Sequence, residues 1–151
     1  MSKILFVCLG NICRSPLAEG IMLHLKQKHD LNLEIDSAGT ASYHIGEAPD
    51  KRTIANAKKN GVDLSQLRAR QFSSSDFDVF DHIFVMDQNN FNNVIALAKN
   101  ETQKQKVQLF LNTLYPDKNM EVPDPYHHDE NKFEEVFQLV FEACNNIKDK
   151  F

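Results

Sequence analysis

The chain opens with Lys3-Ile4-Leu5-Phe6-Val7, an almost unbroken apolar run of the kind that forms a strand buried on both faces. From Pro16 to about His29 the period changes: Leu17, Ile21 and Leu25 recur at helical spacing, with Ala18 and Met22 beside them. Leu31–Ile35 alternates apolar and polar positions, which predicts a strand nearer a sheet edge, ending in Asp36-Ser37-Ala38-Gly39-Thr40, where Ser37 suits turn chemistry. Ala41–Asp50, with Gly46 and Pro49, reads as a loop, and Lys51–Asn60 as a helix closed by Gly61 with Ile54, Ala55 and Ala57 inward. Ser73-Ser74-Ser75-Asp76 predicts a turn and helix cap before Phe77, Val79 and Phe80. His82–Met86 is a second buried run, ending at Asp87, an acid placed to cap a helix from Gln88 onward. Asn90–Asn100 reads as a helix with Phe91, Val94, Ile95 and Leu97 inward, and Val107–Leu111 as a fourth strand. Asn112–Asn131 is a long loop carrying Pro116, Pro123 and Pro125, and loops of that length are more often functional than connective. Phe133–Phe151 is the last helix, with Phe133, Val136, Phe137, Val140, Phe141 and Cys144 on one side, so that Cys144 belongs to the core.

Strands alternating with helices predict an α/β fold, a doubly wound four-stranded parallel sheet with flanking helices and its ligand site at the carboxyl ends of the strands. Cys8, Ser37 and Asp87 all fall at such ends. A length of 151 residues suits one domain, 1–151, with a full core. The formal charge of −4, without a basic cluster, argues against nucleic acid as a partner. No apolar run approaches the roughly 18 residues of a membrane span, and Met1-Ser2-Lys3 leads straight into a strand, so neither a membrane span nor a secretory leader is expected. Three cysteines, an odd number, suit a reducing cytoplasm better than a disulfide framework.

The candidate chemistry lies in Val7-Cys8-Leu9-Gly10-Asn11-Ile12-Cys13-Arg14-Ser15-Pro16. Cys8 stands where the first strand ends. Ser15-Pro16 reads as a helix cap followed by a proline at the first helical position. Unpaired N–H groups and the helix dipole at such a terminus favour an anion, and favour a thiolate over a thiol. Arg14 adds a planar fork of donors suited to a phosphate held over the sulfur. The arrangement points to attack by Cys8 on the phosphorus of a bound phosphate ester, with oxygens held by backbone N–H groups from Leu9, Gly10, Asn11, Ile12 and Cys13 to Arg14. The Ser15 hydroxyl can donate to the sulfur.

Cys8 to Arg14 followed by Ser15-Pro16 resembles the phosphate-binding loop of the low-molecular-weight protein tyrosine phosphatases. The resemblance extends to Asp36–Thr40, to Met86-Asp87 and to the distal Asp124-Pro125-Tyr126. It implies hydrolysis of phosphotyrosine proteins or small aryl phosphates through a cysteinyl-phosphate, with inorganic phosphate as product and inhibitor, no cofactor or metal, and a monomer or weak dimer. By the same resemblance Ser37 and Asp87 support the loop, and Tyr43 and Tyr126 form opposite walls of the substrate crevice. Asp124 is the candidate proton donor. Pro125 restricts it to extended backbone, which should aim its side chain away from the local chain, and a carboxyl beside bound phosphate keeps its proton through like-charge repulsion.

Two departures from the family pattern stand out. Leu67 occupies a position where relatives often carry a His bonded toward the loop Asn, and His127-His128-Asp129, read as a solvated loop, follows Tyr126 where relatives often carry a second aromatic. Arg68 and Arg70 read as solvated surface charges. Cys13 either packs beneath the loop or forms a reversible disulfide with Cys8 that shields the nucleophile. Two rival readings are weaker. Thioredoxin-coupled arsenate reduction needs resolving cysteines after the third strand, and Met86–Asn100 has none. A phosphate-binding module without turnover needs neither Cys8 nor Asp124.

Overall fold

The computed structural model describes residues 1–151. Strands β1 (Ser2–Cys8), β2 (Leu33–Gly39), β3 (His82–Val85) and β4 (Val107–Leu109) form one sheet in the order β2-β1-β3-β4, parallel at every pairing. β1 has a neighbour on each side and Ile4, Leu5, Phe6 and Val7 are wholly inaccessible, so the run is apolar at successive positions rather than alternating. Its two sets of side chains feed two cores. Ile4, Phe6 and Cys8 pack with residues of α1 (Arg14–His29) and α6 (Glu130–Lys148), whereas Leu5 and Val7 join Phe72, Phe77 and Val94 on the opposite face. Those last residues belong to or adjoin α3 (Asp76–Val79) and α4 (Gln88–Ile95). Helices therefore cover both faces, and the winding changes direction beside β1, which puts the switch point of the sheet at Cys8.

Several boundaries differ from the sequence reading for identifiable reasons. α1 starts at Arg14, with Cys13 at its N-cap and no side-chain capping bond, so Ser15-Pro16 lies inside the first turn instead of forming the cap and first position. The Ser15 hydroxyl is committed to Cys8 and Asn11 instead. β2 runs on through Asp36, Ser37 and Ala38 to Gly39 in register with β1, so Ser37 is a strand residue and not part of a turn. Its polar positions face a cluster containing Glu19 and Arg70. In α2 (Lys51–Lys59) the buried residues are Thr53 and Ala57, while Ala55 is exposed. Gly61, at φ +83°, occupies the left-handed position after that helix. α4 ends at Ile95 and Leu97 is exposed. A separate α5 (Glu101–Gln105) precedes β4, which is three residues long and gives way to a 3₁₀ turn at Phe110–Thr113. α6 begins at Glu130, capped by Asp129, and buries Phe133, Val136, Phe137, Val140 and Cys144 as its spacing predicts. No helix is long and apolar enough to cross a membrane.

Candidate active site

Residues 9–13 turn from the end of β1 into α1 around the Cys8 sulfur, and two groups point at that atom. The Asn11 backbone N–H donates to Sγ at 3.3 Å, and the Ser15 Oγ lies 2.9 Å from it. Asn11 reaches this position with φ of 57°, a left-handed conformation that Asn tolerates better than most residues. Its buried side chain organises the surrounding hydroxyls. Oδ1 accepts from the Arg70 backbone N–H at 3.0 Å, which fixes the orientation of the amide. Nδ2 then donates to Ser15 Oγ at 2.7 Å and to Ser37 Oγ at 2.9 Å. Because Ser15 accepts from Asn11, its own proton is available for the Cys8 sulfur, with the Ala38 carbonyl at 3.4 Å as the weaker alternative. Ser37 likewise sends its proton outward, to Glu19 Oε1 at 2.5 Å.

Glu19 is thus the terminal acceptor of a buried chain that begins at the Arg70 amide. Burial pushes its carboxyl up to about 7, helped by the charge of Asp36 and opposed by the Ser37 hydrogen bond and by Arg70. Arg70 is no free surface charge. Its guanidinium spans Asp36, at 3.0 Å, and Asp76, at 3.1 Å, while its backbone holds Asn11. This answers the Leu67 departure: Leu67 packs against the core, and the Arg70 N–H bonds Asn11.

Arg14 is buried beside the sulfur. Its Nη1 donates to Asp87 Oδ2 at 2.7 Å and to the Val122 carbonyl at 3.1 Å, and Nη2 faces Asp124 Oδ2 at 3.8 Å. Burial works against its charge, but Cys8, Asp87 and Asp124 outweigh burial and raise its pKa. Asp87 caps α4 as its position predicts, its other oxygen accepting from the Asn90 N–H at 2.8 Å. The last residue of β2 closes against the loop from below. A Cβ on Gly39 would lie 2.8 Å from the Leu9 carbonyl oxygen and 3.1 Å from the Asn11 nitrogen, so only glycine fits.

The crevice above Cys8 is lined by residues of the loop (Leu9, Gly10, Ile12, Cys13 and Arg14), by Tyr43 and His44, and by Asp124, Tyr126 and His127. Tyr43 is 76 % exposed and Tyr126 39 %. His127, read from sequence as ordinary loop, sets its ring edge-on to Tyr126 with centroids 4.9 Å apart and stands where the second aromatic of the family pattern would. The aromatic neighbour was the signal for it. The Asp124 side chain, 46 % exposed, is not turned away from the local backbone as Pro125 suggested. Oδ1 accepts from the Tyr126 N–H at 3.1 Å, closing a turn that leaves Oδ2 facing Arg14.

Cys8, Cys13 and Cys144 are all free thiols. Cys13, the N-cap of α1, is buried, and burial pushes its thiol up to about 12, opposed by a hydrogen bond with Thr53 and helped by Asp50, Asp124 and Cys8. Cys144 is fully buried between α6 and α1, near the Ala18 carbonyl. No group of three or more His, Cys, Asp or Glu side chains is gathered to hold a metal ion.

The family model described as low molecular weight phosphotyrosine protein phosphatase matches residues 3–150. A Schizosaccharomyces pombe protein of that description is 42% identical over 150 residues, covering 97% of this chain and 95% of its own. The human protein is 37% identical over 151 residues, covering 98% and 94%. A protein tyrosine phosphatase from Entamoeba histolytica superposes with a TM-score of 0.92 at 41% identity, over 99% of this chain and 96% of that one. With the family model matching almost the whole chain and relatives of 37–42% identity covering it nearly end to end, the chain belongs to the low molecular weight phosphotyrosine protein phosphatase family.

Proposed function

We propose that this chain hydrolyses phosphotyrosine and other aryl phosphate monoesters, with Cys8 as nucleophile, Arg14 as phosphate and transition-state binder, and Asp124 as general acid and then base. The phosphate rests on the N–H groups of the loop and on the Arg14 guanidinium, whose fixed dipoles match the charge of the transferring group. The Cys8 thiolate attacks phosphorus, an S–P bond forms, and the P–O bond to the leaving group breaks as Asp124 gives the departing oxygen a proton. Water then attacks the phosphocysteine, Asp124 takes its proton, and phosphate leaves with the thiolate restored. The observation that carries this reading is the pair of hydrogens aimed at Cys8 Sγ, from Ser15 and from the Asn11 amide. They stabilise a sulfur anion both before attack and on its departure.

Tyr43 and Tyr126 fit the two faces of a flat aryl group. Vibrio vulnificus Wzb, 31% identical with a TM-score of 0.88, has been solved with benzylphosphonate, an aromatic phosphate mimic. Inorganic phosphate would be product and competitive inhibitor, and a cytoplasmic monomer or weak dimer of one domain suits a free thiolate enzyme. The deep burial of Cys13 favours its packing role over its role as a resolving thiol, since a thiol held near 12 is a slow attacker.

Rapid-quench experiments with an aryl phosphate test the scheme. Wild type should yield a phosphocysteine at Cys8 that is trapped by rapid denaturation, and Cys8→Ser should lose turnover while still binding inorganic phosphate. Turnover that depends on added metal, or a Cys8→Ser protein as active as wild type, would refute it.

A further inference from the structure

Besides its approach to Arg14, the Asp124 carboxylate accepts a backbone hydrogen bond from Tyr126, and Tyr126 is held in turn by a cation from another element. Tyr126 donates its backbone N–H to Asp124 Oδ1 at 3.1 Å, and its carbonyl accepts from Arg52 Nη2 at 2.8 Å. Arg52 lies on α2, 74 positions earlier in the chain. Its Nη1 also reaches the His128 carbonyl at 3.4 Å. The guanidinium carbon also lies 4.6 Å from the Phe133 ring centroid and 5.5 Å from that of Tyr126, within cation–π range of both.

The other end of the link is the phosphate loop. Asp50, the cap of α2, pairs with Arg52 through both carboxylate oxygens, Nε to Oδ1 at 3.1 Å and Nη2 to Oδ2 at 3.0 Å. The backbone N–H of Asp50 donates to the Ile12 carbonyl at 2.8 Å. Residue by residue, the path runs from Ile12 in the loop through Asp50 and Arg52 to Tyr126 and Asp124.

We propose that Arg52, seated on Asp50, is a positioning residue for the proton transfer: it fixes the Asp124 segment at a set distance from the phosphate loop. The proposal rests on the reading of Asp124 as general acid. Arg52 touches neither phosphate nor leaving group, so its loss should not resemble loss of phosphate binding. It should resemble a mild loss of the acid, felt most where the leaving oxygen needs its proton.

The test compares kcat/KM, which reports the steps through release of the phenol, for phenyl phosphate and p-nitrophenyl phosphate. Arg52→Met keeps an apolar stem over Phe133 and removes the donors. It should lower kcat/KM about tenfold for phenyl phosphate and less than about twofold for the nitro ester, a fraction of the 10²–10⁴ that general acid catalysis supplies. Inhibition by inorganic phosphate should stay within about twofold of wild type. Arg52→Lys, which keeps the charge but not the fork, should show the same pattern to a smaller degree and serves if the methionine variant does not fold. Equal losses on both esters, or none on either, would overturn the proposal. Asp124→Ala run alongside separates the two ideas. If it discriminates strongly between the esters while Arg52→Met and Arg52→Lys do not, the link falls and the acid stands; if Asp124→Ala does not discriminate, both fall.

Discussion

Around Cys8, the polar side chains Asn11, Ser15, Ser37 and Arg14 are buried and each has a defined hydrogen-bond partner. At the rim, Asp124 is nearly half exposed and meets the protein through the Tyr126 backbone N–H and a 3.8 Å approach to Arg14. The contrast follows from the two jobs. Dipoles that stabilise a thiolate and a transferring phosphoryl group work best when they need no rearrangement, so they are fixed in the interior. A proton donor must meet leaving groups of different shapes and exchange its proton with water, so it sits at the rim. Changes on the buried side should therefore cost all substrates alike, while changes on the exposed side should sort substrates by leaving group.

Asn11→Ala breaks the buried side most severely short of removing the reacting groups. It leaves the Arg70 N–H without its acceptor and the Ser15 and Ser37 hydroxyls without the donor they accept from, and puts a poorly suited residue at φ 57°. Each unsatisfied buried group costs about 1–3 kcal/mol. The expected outcome is a fall in kcat/KM of about 10- to 100-fold, equal for phenyl and p-nitrophenyl phosphate, with a lower melting temperature. A leaving-group-dependent loss would mean that the loop and the acid are not separable in the way described.

Gly39→Ala presses on the same side without removing any hydrogen bond. The new Cβ meets backbone atoms of Leu9 and Asn11 that cannot move without shifting the loop. Overpacking of this kind costs about 1–3 kcal/mol. Phosphate inhibition should weaken several-fold and kcat/KM should fall by a similar factor on both esters. Unchanged phosphate inhibition would mean that the loop relaxes away from β2 at no cost to the site.

The legible parts of this architecture are those written in neighbouring residues. The β1 run, the Cys8-to-Arg14 spacing and the apolar face of α6 are local patterns, and so is Asp87 as a cap; its support of the phosphate loop was an expectation from family likeness, and its bond to Arg14 was not legible at all. Arg70 and Arg52 were not legible, because an arginine reads the same whether it is solvated or bridging. Their partners Asn11 and Tyr126 lie 59 and 74 positions away. The length of β2 was hidden for a related reason. Asp36 and Ser37 are polar because of what faces them across the fold, and polarity within a strand looks like the end of a strand. Glu19 sits in α1 between Ala18 and Gly20, and nothing nearby in the sequence marks it as the end of a hydrogen-bond chain.

Glu19 gives the smallest effect on turnover and the sharpest check on how dry the buried side is. Its folded pKa of about 7 lies above the ordinary carboxylate value of 4.5. The folded state therefore holds the proton more tightly than the unfolded state. The stability this gives is fully present below about pH 4.5 and is lost as pH rises through about 7. At about 1.4 kcal/mol per unit the ceiling is about 3 kcal/mol, and partial hydration of the carboxyl brings the expected figure to about 1–2 kcal/mol. Glu19→Gln keeps an acceptor for the Ser37 hydroxyl and cannot ionise. Urea unfolding at pH 5 and pH 8 should show the variant gaining about 1–2 kcal/mol relative to wild type across that interval, with kcat/KM on both esters nearly unchanged at pH 5. A stability difference that stays constant with pH would place Glu19 in contact with water, and the chain from Arg70 through Asn11 and Ser37 would then end at solvent rather than at a buried carboxyl.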